Sequence, residues 1–224
     1  FGGNNGSLVI GKAGENTSVS SHENISKGFG IHGYYCLSGA GDTSATMELL
    51  QNGASVSGRA GLDIISANLP ARLIRRLKRL PRMALALASG AKEKSGPDYQ
   101  NMDSVYMGTG WGALSETHDF LKRLNESGEQ FPSPTDFVGS VHNAPASQIA
   151  IMFGATGANI TTSGGDYSFE QALLAAELTY DNHGDSTALV LGADEGHESF
   201  SPLFDPSVFA GSTIADGGGA LCVS

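Results

Sequence analysis

Short apolar runs flanked by glycine alternate with longer runs whose apolar positions recur at helical spacing, and this alternation orders most of the chain. Ser7-Leu-Val-Ile10, between Gly6 and Gly11, reads as a short buried strand. Residues 13–27 are polar, rich in Ser, Asn and Glu, and show neither period, so they predict a linker. Gly30 to Leu37 is aromatic and β-rich, Ser38 to Asp42 marks a turn, and Thr43 to Gln51 predicts a helix. From Pro70 to Ala91, Leu73, Leu77, Leu80, Leu85 and Leu87 sit among six basic residues, and Pro81 inside the run predicts two helical pieces or one kinked helix. Ser104 to Met107 predicts a buried strand, Gly108 to Gly112 a tight turn, and Ala113 to Asn125 a helix with Leu114, Phe120, Leu121 and Leu124 on one side. Phe131 to Thr135 reads as a Pro-containing loop, Ala144 to Phe153 and Tyr167 to Tyr180 as helices, and Ala158–Thr162, Thr187–Gly192 and Gly218–Val223 as strands. Strands alternating with helices point to an α/β layered sheet.

The 224 residues fit one large domain or two small ones, and 40% hydrophobic content supplies a core, which excludes general disorder. No run approaches the ~20 apolar residues that cross a bilayer, and Phe1 to Gly14 lacks a charged start followed by an apolar core. The expectation is a soluble, cytoplasmic protein with no membrane partner. Thirteen basic against 23 acidic residues give a net charge of −10, which opposes binding to phosphate backbones, so no nucleic-acid partner is expected. Two cysteines, Cys36 and Cys222, exclude a disulfide framework and a four-cysteine metal site, and their apolar surroundings predict inert core thiols.

Glycine, at 31 copies, sits mostly where strand and helix runs meet. The pattern GxGxxG occurs at Gly28, Gly30 and Gly33, and its variant GxGxxA at Gly108, Gly110 and Ala113. A dinucleotide site needs these glycines straight after a strand and at the start of a helix, where free N–H groups meet pyrophosphate. The first match fails on context; the second has the context but no acidic residue ending a following strand, so a nucleotide-binding role and a plain strand-to-helix turn both stand. The histidines, at 22, 32, 118, 142, 183 and 197, show no zinc-site spacing. Asp194-Glu-Gly-His-Glu198 is the best local metal candidate, but carboxylates after a buried strand read first as a solvated strand end. No metal and no cofactor are expected. The most informative stretch is Gly154 to Ser168, a β-branched strand ending in a small-residue turn that feeds a helix, where a nucleophile would sit. Ser163 and Asp166 are the only side chains of that kind in the turn, and no base is evident beside them.

Several blocks occur in the order and spacing of the N-terminal half of a β-ketoacyl-ACP synthase, a thiolase-fold condensing enzyme, which residues 25–224 resemble. Gly28-Phe-Gly-Ile31 with Leu37-Ser-Gly39 is similar to its opening strand and loop, and Val105 to Gly110 to its second strand and turn. Thr135 to Phe153 resembles its interface segment, Gly157 to Thr161 the strand before its nucleophile, and Asp216 to Leu221 its closing Gly-rich hairpin. The resemblance implies one half of a thiolase-like layered fold, a βαβαβαββ-type mixed sheet with helices on both faces. It divides the chain into 28–224, the synthase-like domain; 13–27, the linker; and 1–12. The last resembles the segment that ends a complete synthase, with Phe1, Gly2 and Gly3 at its oxyanion hole; a tandem arrangement, a circularly placed strand and a fragment boundary all explain that order.

Laid without gaps, the family's catalytic cysteine falls on Asp166, and a carboxylate cannot form the acyl thioester that condensation requires. The family's two catalytic histidines belong to its C-terminal half and have no counterpart in residues 1–224. Loss of the cysteine resembles the chain-length-factor subunits, which pair with an active ketosynthase and shape its acyl tunnel. On that resemblance the chain is a non-catalytic subunit of fatty-acid or polyketide-type elongation. Its partners would be acyl carrier protein, docked on Arg72, Arg75, Arg76 and Arg79, and an active ketosynthase or a second copy, paired through Asn159, Ile160, Thr161 and Thr162. The run Ala158–Thr162 fits either an edge strand or a central one. Two other readings stand: a piece of an active synthase completed by another segment or chain, with Cys36 as its thiol, and the nucleotide-binding domain.

Overall fold

The computed structural model describes residues 28–67, 69–180, 187–204 and 214–224. The predicted strand at 7–10, the linker at 13–27 and the segment 1–12 with Phe1, Gly2 and Gly3 lie outside the described residues. In chain order the elements are β1 (Ile31–Leu37), α1 (Thr43–Gln51), α2 (Ala71–Ile74), α3 (Arg79–Lys94), β2 (Met102–Gly108), α4 (Leu114–Glu126) and α5 (Pro134–Ser140). They continue with α6 (Ala144–Phe153), β3 (Asn159–Thr162), α7 (Ser168–Thr179), β4 (Thr187–Asp194), α8 (Ser201–Phe204) and β5 (Gly217–Val223). The five strands form one sheet in the order β1-β5-β4-β2-β3. β2 runs parallel to both β3 and β4, and β5 runs antiparallel to β1 and β4, so the sheet is mixed as expected.

The central strands β2 and β4 are apolar on both faces, as strands covered by helices on each side must be. On one face Leu80, Met83, Leu85 and Leu87 of α3 and Ile149 of α6 pack against Val105, Met107, Leu189 and Leu191. On the other, Ala172 and Ala176 of α7 pack against Tyr106, Ala188, Val190 and Val223. The small residues of α3 let it lie close to the sheet: a Cβ at Gly90 would stand 2.4 Å from the Tyr35 ring, and one on Gly33 of β1 would stand 2.4 Å from the Ala91 carbonyl.

Two elements depart from the pattern-based expectation. The helical run from Pro70 to Ala91 does divide, but at residues 75–78 rather than at Pro81, which occupies the first turn of α3. The N–H groups of a first turn have no carbonyl partner in the helix, so proline is tolerated there. The segment expected as a loop at 131–135 instead leads into α5, with Pro134 at its first position and the Ser133 hydroxyl accepting from the Asp136 N–H. The apolar side expected on α4 turns toward this extra helix: Phe120 meets Phe137 at 5.8 Å between ring centroids, and Leu121 stays exposed.

Candidate active site

β2 and β4 end side by side, and their carboxyl ends open into a cavity of about 690 Å³. Ligands of open α/β sheets bind at this end of parallel strands. Its walls include Cys36, Leu50, Trp111, Asp166, Phe169 and the glycines of β5.

Two strand-to-helix turns form the rim. The first, from Gly108 to Ser115, is held by carboxylates from the end of β4. Asp194 accepts from Thr109 Oγ1 at 2.8 Å, the Gly110 N–H at 3.0 Å and the Trp111 N–H at 3.1 Å. Glu195, 1% exposed, accepts from the Ser115 N–H and hydroxyl, each at 2.7 Å. Burial pushes the Glu195 carboxyl above its ordinary range, against the pull of the two Ser115 donors. These residues are therefore not the solvated strand end their sequence predicts; they are internal ligands for a glycine-rich turn. The same bonds answer the nucleotide-binding reading of Gly108, Gly110 and Ala113, because the N–H groups that would meet a pyrophosphate are taken by the protein's own negative charges. At Gly28, Gly30 and Gly33 the chain runs into β1, with no helix start to offer.

The second turn joins β3 to α7. Thr162 Oγ1 donates to the Ser168 carbonyl at 2.8 Å, and the Ser168 hydroxyl accepts from the Gly164 N–H at 3.0 Å and donates to the Gly165 carbonyl at 2.6 Å. Gly165, at φ +63°, makes the reversal that a side chain would resist, and Asp166 follows it, exposed, on the cavity wall. Ser163 is also exposed and is turned toward the first rim, its hydroxyl 3.4 Å from the Gly110 carbonyl. Gly108 closes the two turns on each other, since a Cβ there would stand 2.3 Å from the Ser168 carbonyl oxygen.

The cysteines differ from the inert pair expected. Cys222 is buried and burial raises its thiol, whereas Cys36 is half-buried on β1 and faces the cavity. β1 alternates its faces, and the Cys36 side happens to border the open end of the sheet, which composition alone does not reveal. Among the described residues no group of three or more His, Cys, Asp or Glu gathers to hold a metal ion. His118 and His197 lie with ring centroids 4.8 Å apart and planes tilted by 40°, beside Phe200, and burial, then His118, lowers the His197 imidazole. No helix among the described residues is long and apolar enough to cross a membrane.

The expected docking arginines separate into two groups. Arg79 is a structural residue: its guanidinium binds Asp216 through Nε and, at 2.9 Å, Nη2, and donates to the Ala60 carbonyl at 2.6 Å. It is withdrawn from the docking set because its charge is spent inside the fold. Arg72, Arg75 and Arg76 are exposed and pair with no carboxylate among the described residues. Asn159, Ile160, Thr161 and Thr162 form β3, which the sheet order places at an edge, with one side unpaired among the described residues.

A mixed five-stranded sheet between helical layers, with a cavity at the strand ends and a sharp turn entering α7, is half of a thiolase-like layered fold. Residues 41–215 match the model of the beta-ketoacyl synthase N-terminal domain, and the chain belongs to that family. No curated protein matches the sequence. Solved structures with the same fold include the ishigamide ketosynthase/chain length factor, at TM-score 0.70 and 21% identity over 87% of this chain and 61% of that one. A ketosynthase in complex with its chain length factor from Xenorhabdus doucetiae matches at TM-score 0.65 and 18% identity, over 88% of this chain and 78% of that one. A type II polyketide synthase acyl-carrier protein in complex with its hexaketide-bound ketosynthase matches at TM-score 0.69 and 18% identity, over 88% and 62%. The chain thus spans about three fifths of the length of the first and the last of these.

Proposed function

We propose that this chain is a non-catalytic, chain-length-factor-like subunit that pairs with an active ketosynthase in fatty-acid or polyketide-type chain elongation. The observation that carries the reading is Asp166: the turn entering α7 presents a carboxylate to the cavity where thioester chemistry needs a thiol. Similarity to a ketosynthase bound to its chain length factor supports the same reading. Among the described residues the edge strand β3 offers unpaired backbone groups for a partner's strand, which fits pairing through Asn159 to Thr162.

Intact-mass measurement after incubation with acyl-loaded carrier protein, with and without a ketosynthase from the same source, tests the proposal. Co-elution with the ketosynthase and no mass gain on this chain is the expected result. Cys36 on the cavity wall favours the second reading, a piece of an active synthase, and one acyl group gained on this chain would establish that reading and overturn the first.

For docking of the carrier protein we propose the exposed arginines of α2 and of the turn that follows it. A basic surface on a chain of net charge −10 draws an acidic partner locally. Changing Arg72, Arg75 and Arg76 together to Glu is expected to weaken carrier-protein binding about tenfold or more at low salt. Calorimetric titration would read this, and unchanged affinity would remove the docking assignment.

A further inference from the structure

A second cavity of about 520 Å³ lies away from the strand ends, between the connection from α2 to α3 on one side and α5 with the start of α6 on the other. Leu73, Leu77, Pro81, Val138 and Val141 give it an apolar body. Its charged wall residues are Arg76, Lys78, Glu116 and Asp136. Two of these are already neutralised, Lys78 by Asp119 and Asp136 by Arg123. Among the described residues that leaves Arg76 and Glu116 without an opposite charge.

Glu116 is the unusual member. It comes from α4, is only 8% exposed, and its Oε2 has no hydrogen-bond partner. A buried carboxylate oxygen left without a donor costs free energy, and a ligand that supplies an N–H would recover it. A plain cation entering the cavity would meet Arg76, and a plain anion would meet Glu116. A molecule carrying both charges, separated by hydrocarbon, meets an opposite charge at each end and apolar side chains between.

We propose that this cavity binds a small zwitterion with an apolar body, its ammonium group on Glu116, its carboxylate on Arg76 and its hydrocarbon against Leu73, Leu77 and Val138. The assignment is independent of the role proposed for the chain. Binding strengthens with pH, because Glu116 must be ionised. The groups facing Glu116 are Lys78 ahead of α3, Arg76 after α2, Asp136 on α5, Glu195 after β4 and, one turn along its own helix, Asp119.

The test is calorimetric titration of the whole chain at pH 8 with 4-aminobutanoate and 6-aminohexanoate, against hexylamine and hexanoate as single-charge controls. Saturable binding of an amino acid with a dissociation constant of about 1 mM is expected, with each control at least about tenfold weaker. Arg76→Ala, a change at an exposed position, and Glu116→Gln, the shape-conserving one, are each expected to weaken binding about tenfold. No saturable heat from either amino acid at roughly 10 mM overturns the proposal. So does undiminished binding in both variants, which would locate the ligand elsewhere.

Discussion

Asp216→Ala is expected to cost about 3–5 kcal/mol of folding stability, a large share of the roughly 5–15 kcal/mol that holds a domain of this kind together. The side chain of Asp216 is 0% exposed and takes the Arg79 guanidinium, while its Oδ1 also accepts from the Ala60 N–H at 2.7 Å. Truncation leaves a guanidinium that is only 13% exposed with the Ala60 carbonyl as its remaining hydrogen-bond acceptor, and a buried Ala60 N–H without its carboxylate. The cost comes from the orphaned charge rather than from the strength of the pair, so the double variant Arg79→Met, Asp216→Ala is expected to recover much of the loss. Urea unfolding of the three proteins decides the matter. A single variant within about 1 kcal/mol of wild type would show that water reaches Arg79 and that the pair is not structural.

Glu116→Gln is expected to remove a pH dependence that wild type carries. Burial, then the nearby Glu195, pushes the Glu116 carboxyl from 4.5 up to about 7, against some relief from backbone N–H groups and Lys78. A carboxyl raised in the folded state favours folding fully below its unfolded value and loses that favour as pH climbs toward the folded one. Stability from this residue is therefore complete below pH 4.5 and declines until about pH 7, by roughly 3 kcal/mol. Other carboxylates act oppositely: Asp119, held low by its hydrogen bond from Lys78, weakens the fold as pH falls. The informative quantity is thus the difference between wild type and Glu116→Gln, measured as urea midpoints from pH 4 to 8. The variant should gain on wild type between about pH 4.5 and 7 and level off above that, and a constant difference would mean that folding does not shift the Glu116 carboxyl.

The sequence carries the secondary structure well where apolar spacing and glycine boundaries agree. Thr43–Gln51 and Ala144–Phe153 are helices with the predicted ends, and the strands at Gly30–Leu37 and Gly218–Val223 shift by a residue. α5 was readable from Ser133-Pro134-Thr135-Asp136, a helix start whose prolines suggest a loop when its capping hydroxyl is overlooked. Strand order was not readable, since nothing in Asn159–Thr162 tells an edge from a centre. Asp166 could be placed at the turn because its signal is local, whereas the roles of Arg79, Asp194 and Glu195 depend on partners 137, 83 to 85 and 80 positions away. Long-range pairing of this kind leaves no periodic trace, so a buried ion pair reads as a surface patch and an internal carboxylate as a solvated one.

The position of β5 between β1 and β4 has a bearing on synthesis. Among the described residues β1 has β5 as its one strand neighbour, so within that part of the sheet it waits for residues 217–223 before this edge is satisfied. At roughly 5–20 residues per second, that wait is on the order of ten seconds or more. During it β4, β2 and β3 already have each other, while β1 rests on α1 and α3 with Tyr34 and Tyr35 uncommitted to a ladder. The nascent chain therefore passes through a stage with two open β edges, at β1 and at β4, that the finished sheet seals with a single strand, and chaperone capture or mispairing during synthesis would fall there.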